Sequence, residues 1–216
     1  MTLFDRLDAA RASCNVLEHP FYVRWGAGEL EPEELARYSG QYRHAVVALA
    51  EAAAGAARAA DADLRLELER HAREERAHVR LWDGFLEAAG GSSADEPLPG
   101  TADCVEAWTA GSDLLERLAV LYAVEASQPA ISRTKLEGLV AHYGQRAGTR
   151  ATEYFELHSE LDERHAAQSR ALIDERAVEA DHDRLVERAE AALRGNWKLL
   201  DAVEERSAAG KITPLA

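Results

Sequence analysis

Two short stretches carry histidines and carboxylates at spacings that a helix turns onto one face. In His158-Ser-Glu-Leu-Asp162-Glu-Arg-His165 and in His71-Ala-Arg-Glu74-Glu75-Arg-Ala-His78, positions i, i+4 and i+7 fall within roughly 60° of one another at about 100° per residue. His158, Asp162 and His165 thus form one stripe, and His71, Glu75 and His78 form another. The second stripe continues the apolar face of Leu64, Leu68, Trp82 and Phe85, which turns it inward. Glu125 is the one charge in the apolar run Leu118 to Pro129. An isolated buried carboxylate costs several kcal/mol, so inward groups of this kind must be paired or bound to metal. One His/Glu pair on an Arg- and Glu-rich helix is usually a solvated face, but two stripes and an isolated glutamate are harder to assign to solvent. Nitrogen and oxygen ligands without thiolate suit iron or manganese better than structural zinc. Three carboxylates also nearly balance two divalent ions.

The elements that must position these residues read as helices. Ala, Leu, Glu and Arg dominate, and Val, Ile and Thr never alternate over a strand-length run. The expected fold is all-α, a single bundle of about seven helices over residues 1–216, with 210–216 as a flexible tail. The first helix is expected from Thr2 to Glu18, ending at His19-Pro20 because the residue before proline leaves the helical region. A short helix follows through Trp25. Further helices are expected from Glu31 to about Ala60 and from Asp61 to Ala89, then after the Gly/Pro/Ser-rich loop 90–100 from Thr101 to Thr109. Ser112 and Asp113 offer caps for a long helix kinked by Pro129 and continuing to about Tyr143. Thr149 to about Ala177 and His182 to about Glu205 complete the set.

Composition narrows the function. Of 216 residues 47% are apolar and 30% charged, which excludes a disordered chain, and no uncharged run is long enough to span a membrane. With 39 acids against 25 Lys and Arg, the net charge of -14 repels phosphate backbones, so nucleic acid is not an expected partner. The N-terminus lacks the features of a secretory signal, and a cytoplasmic location is expected. Cys14 and Cys104 have no zinc or disulfide spacing.

His19-Pro20-Phe21-Tyr22 with Trp25, the run Leu121 to Leu139 around Glu125 and Lys135, and Phe155-Glu-Leu-His158 with Asp162 and His165 resemble the haem-oxygenase-like superfamily of the TenA and PqqC type. The resemblance covers nearly the whole chain and is strongest to the dimetal branch of CADD-like p-aminobenzoate synthases and haem-oxygenase-like diiron oxidases. It implies a metal set of Glu75, His78, Glu125, His158, Asp162 and His165, with Glu74 and His71 as alternatives to Glu75. It also implies two non-haem metals (Fe/Fe or Mn/Fe), dioxygen as co-substrate and a homodimer. CADD-like proteins make p-aminobenzoate, a folate precursor, from one of their own tyrosines with a lysine as amino donor. The matching residues are Tyr22 and Lys135, the latter one of only three lysines. Where that subgroup has an aromatic residue before the central glutamate, this chain has Val124, leaving Tyr38, Tyr42 and Tyr154 to line the cavity.

The leading expectation is an oxygen-dependent dimetal oxidase of this kind. The alternatives are a diiron oxidase or N-oxygenase acting on an external amine, amino acid or fatty acid, and a non-enzymatic TenA-like regulator. Thiaminase-like hydrolysis needs a nucleophilic cysteine that the Glu125 helix does not offer. PqqC-like cofactorless oxidation is disfavoured by the ligand set.

Overall fold

The computed structural model describes the backbone of residues 1–211 and the side chains of residues 1–206; of the expected tail, 212–216 lie outside the described residues. Ten α-helices and no strand occur among them: α1 (Leu3–Ser13), α2 (Pro20–Ala27), α3 (Pro32–Ala59), α4 (Ala62–Ala89), α5 (Pro99–Thr109), α6 (Leu114–Glu125), α7 (Gln128–His142), α8 (Glu153–His158), α9 (Leu161–Arg176) and α10 (His182–Lys211). The fold is all-α, as the composition implies. The helix count is higher because two expected helices are each divided in two, and a third is shortened by a 3-10 turn. No described helix is long and apolar enough to cross a membrane.

The long pair α3 and α4 packs side by side, α10 lies along α5, α6 and α1, α6 packs on α9, and α7 bridges α2 and α8. Leu68, Trp82, Phe85, Leu118, Leu121, Phe155 and Leu199 belong to the apolar core that these faces bury. Local chemistry sets the ends. Thr2 caps α1 by accepting from Asp5 N, and Asp113 Oδ1 accepts from Glu116 N at 3.0 Å to start α6. Gly90 ends α4 with φ 73°, a left-handed conformation that favours glycine.

The interruptions correct the simpler reading and matter for the site. The first helix stops at Ser13 rather than Glu18, because Asn15 Oδ1 accepts from Leu17 N at 3.2 Å and caps a separate turn of 3-10 helix, Val16–Glu18. The helix expected from Asp113 to Tyr143 divides at Ala126–Ser127. Pro129 has no N–H to give to the Glu125 carbonyl, so the helix ends just ahead of it and proline sits in the first turn of α7. Arg11 holds this joint, donating from Nη2 to the Ala126 carbonyl at 2.6 Å and from Nε to Ser127 Oγ at 3.2 Å. The helix expected across His158 to His165 also breaks, at Ser159–Glu160. There the Ser159 carbonyl accepts from Arg133 Nη1 at 3.0 Å instead of continuing the helical ladder. At the other end of the chain, α10 runs past Glu205 to Lys211.

Candidate metal centre

Seven ionisable side chains from four helices converge inside the bundle. The unbroken α4 turns His71, Glu75 and His78 inward, Glu125 is the last residue of α6, His158 ends α8, and Asp162 and His165 lie on the first turns of α9. None is more than 5% exposed. Glu75 is at the centre: its Oε1 is 3.3 Å from His78 Nδ1, 3.3 Å from His165 Nδ1 and 3.9 Å from His71 Nε2. Glu125 Oε1 lies 2.8 Å from His71 Nε2, and Asp162 Oδ1 lies 4.0 Å from His165 Nδ1. The His71 and His165 rings are 3.9 Å apart, and those of His78 and His158 4.6 Å. Two sets of potential ligand atoms result, each within 4.8 Å: His71, Glu75, Glu125 and His165, and Glu75, His78 and His158. Glu75 belongs to both.

The donors fit a pair of metal ions. His71 Nε2, Glu75 Oε1, His78 Nδ1, both Glu125 oxygens, His158 Nε2, both Asp162 oxygens and His165 Nδ1 are all buried without a hydrogen-bond partner. Protein interiors rarely leave so many polar atoms unpaired in one place, and a cation answers them together. The other ring nitrogen is committed in at least two of the imidazoles. His158 Nδ1 donates to the Tyr154 carbonyl at 2.7 Å, and His165 Nε2 to Glu74 Oε2 at 2.9 Å. Each arrangement leaves the inward nitrogen with its lone pair.

Electrostatics follows from burial and company. Burial pushes the His158 imidazole down to about 4, so it stays neutral. Burial, reinforced by the Glu75 and Glu125 charges, pushes the Asp162 carboxyl well above its ordinary range. Burial would also raise Glu75, but the imidazoles of His165 and His78, each 3.3 Å from Oε1, outweigh it and hold the carboxyl well below that range.

All six residues of the expected metal set meet in this cluster. His71 and Glu74 were alternatives to Glu75, and the structure separates them: His71 joins the interior with Glu75, whereas Glu74 sits at the rim against the outer nitrogen of His165. A signal for His71 was present, since it lies seven residues before His78 on the same stripe.

Beside the cluster is an aromatic chamber around Lys135. Its Nζ lies 4.2 Å from the Tyr42 ring centroid, 5.1 Å from Tyr22, 5.4 Å from Tyr38, and 5.7 Å from both Trp82 and Phe155. Burial holds the amine well below the ordinary lysine value. Tyr22 and Tyr38 share a hydrogen bond of 2.8 Å between hydroxyls, and Gln128 Nε2 donates to the Tyr42 hydroxyl at 3.0 Å. Tyr154 joins chamber to cluster: it stacks on His158 at 3.9 Å and packs edge-on against Trp82 at 4.9 Å. Trp25 Nε1 donates to the Lys135 carbonyl at 3.0 Å. Gly138 permits that approach, since a Cβ there would come within 2.5 Å of Trp25 Cδ1. The roles of Trp82 and Phe155 in the chamber were not legible in the sequence.

The sequence pattern of a family described as iron-containing redox enzymes matches residues 40–197, which include the seven clustered residues and Lys135. The chain belongs to this family. Similar proteins include the 4-aminobenzoate synthase of Chlamydia muridarum, 31% identical over 95% of this chain and 91% of that protein, and that of Chlamydia trachomatis, 32% identical over 94% and 92%. A third, the 4-aminobenzoate synthase of Nitrosomonas europaea, is 27% identical over 98% and 94%. Among solved structures, a TenA homologue from P. horikoshii superposes with a TM-score of 0.78 at 19% identity, covering 95% of this chain and 99% of that one. A Shewanella denitrificans domain with a heme oxygenase-like fold gives 0.81 at 17%, covering 99% and 97%. These two likenesses show the fold.

Proposed function

We propose that this iron-family oxidoreductase is a 4-aminobenzoate synthase that uses its own Tyr22 ring and Lys135 nitrogen, with dioxygen, at a two-metal centre. The observation that carries the reading is the placement of Lys135, whose amine is buried among five aromatic rings, one of them Tyr22. Burial holds this amine well below the ordinary lysine value and so favours the neutral, nucleophilic form over the ammonium of an exposed lysine. The names of the full-length relatives support the same product class.

In this reading His71, Glu125 and His165 would hold one metal and His78, His158 and Asp162 the other, with Glu75 within reach of both sets. When bound, a redox-active pair, Fe/Fe or Mn/Fe, supplies the electrons for dioxygen activation. The protein's own groups do the rest. Tyr38 holds the Tyr22 hydroxyl in place through their shared hydrogen bond. Trp82 and Tyr154, packed between His158 and the chamber, keep the Lys135 amine apart from the cluster and exclude water from the space between.

The test is anaerobic Fe(II) loading, exposure to dioxygen, intact-mass measurement and product analysis. The expected result is a mass loss confined to Tyr22 and Lys135, and no product from Tyr22→Phe. Undiminished product from Tyr22→Phe overturns the internal-donor reading in favour of an external substrate. Fewer than one metal per folded chain overturns the two-metal reading.

A further inference from the structure

We propose that the two metal positions are unequal, and that Glu74 is the positioning residue that makes them so by fixing His165. This rests on the two-metal reading above. Glu74 and Glu75 are consecutive on α4, about 100° apart around the helix, so they do not face the same point. Both nevertheless reach His165, from opposite edges of its ring. Glu75 Oε1 approaches Nδ1 at 3.3 Å, and Glu74 Oε2 accepts from Nε2 at 2.9 Å. The imidazole is clamped between neighbouring residues of one helix. Because Nε2 carries the proton given to Glu74, the lone pair lies on Nδ1, the nitrogen buried without a partner.

His158 solves the same problem differently. Its Nδ1 donates to the carbonyl of Tyr154, one turn back, and its Nε2 faces inward. That partner is neutral main chain inside α8 and cannot leave without unwinding the helix. Glu74 is an anion on a side chain 31% exposed, which it shares with Arg164 at 3.2 Å and Arg70 at 3.5 Å. A carboxylate behind an imidazole strengthens the imidazole as a ligand, and losing such a partner typically weakens metal binding by about 10–100-fold. A solvent-reachable carboxylate is also free to move away, as a helical carbonyl is not. The position served by His165 therefore depends on one surface side chain, and the position served by His158 does not.

The experiment is an anaerobic Fe(II) titration of the full chain by calorimetry, comparing wild type, Glu74→Gln and Glu74→Ala. Histidine 15N–1H spectra of the metal-free proteins accompany it. Glu74→Ala should weaken one equivalent by about 10–100-fold and leave the other unchanged. Glu74→Gln, which keeps an accepting carbonyl, should fall between. The spectra should show the His165 proton on Nε2 in wild type and Glu74→Gln and shared between the nitrogens in Glu74→Ala, with all three proteins unfolding at similar temperatures. Equal weakening of both equivalents, unchanged affinities, or a wild-type proton on Nδ1 overturns the proposal. A wild type that takes up fewer than two equivalents overturns the two-metal reading instead, and the spectra still test the clamp.

Discussion

The metal cluster and the Lys135 chamber are two equally dry regions that treat charge in opposite ways. In the cluster, groups able to carry either sign face one another, and Glu75 keeps its charge although burial opposes it, because the His165 and His78 imidazoles lie against it at 3.3 Å. In the chamber a single amine is surrounded by rings, and burial holds it well below the ordinary lysine value, which favours its neutral form. Ring faces attract an ammonium, but that attraction does not replace the hydration lost on burial. Burial sets the cost of a charge, and the neighbours decide which group retains it. One region is thus suited to cations and the other to a neutral nucleophile.

Removing the residue common to both ligand sets breaks the contrast most severely. Glu75→Ala should leave metal content below one ion per chain after Fe(II) loading and abolish product, since both sets lose a member. Lys135→Met tests the other region alone. It should leave metal content at the wild-type value, abolish product, and raise stability at neutral pH by about 1–3 kcal/mol by replacing a buried amine with an apolar side chain of similar length. The sign with pH is fixed. The folded amine titrates below the unfolded value of about 10.4, so the unfolded state binds more protons between the two and wild-type stability climbs with pH toward 10.4. The gap between variant and wild type, read by urea unfolding, should therefore narrow as pH rises.

Asp162→Asn is the corresponding change inside the cluster. The folded carboxyl titrates above its unfolded value of about 3.9, so the folded state binds more protons and metal-free wild type loses stability as pH rises beyond that value. The variant should gain about 1–2 kcal/mol over metal-free wild type at neutral pH, with the difference closing below about pH 4, and should bind metal more weakly. Tyr22→Phe should have the smallest effect on stability, a loss of about 0.5–1.5 kcal/mol for the hydrogen bond to Tyr38, with metal content intact.

Helical periodicity alone is enough to mark most of the cluster. On α4 it was sufficient, because that helix is unbroken and the stripe of His71, Glu75 and His78 is a real stripe. Between His158 and Asp162 the same pattern pointed to the right residues although the helix breaks there, since the break leaves His158 on the inner side. The joint itself depends on Arg133, a tertiary contact with no local signal. Treating Glu75 and His71 as alternatives missed that a central carboxylate and its flanking imidazole both fit. For Lys135 the sequence showed scarcity but not confinement, because its rings come from α2, α3, α4 and α8, none of them the helix that carries Lys135.

The joint at Ala126–Ser127 bears on how this chain can diverge. In an unbroken helix Glu125 and Lys135 would stand about 15 Å apart along the axis and about 80° apart around it. Here the turn pinned by Arg11 sets their relation instead. One residue inserted in α7 ahead of Lys135 would swing the amine by about 100°, out of its rings. Divergence across α6 and α7 can therefore proceed by substitution far more readily than by a change of length, because only a change of length moves Lys135 relative to Glu125.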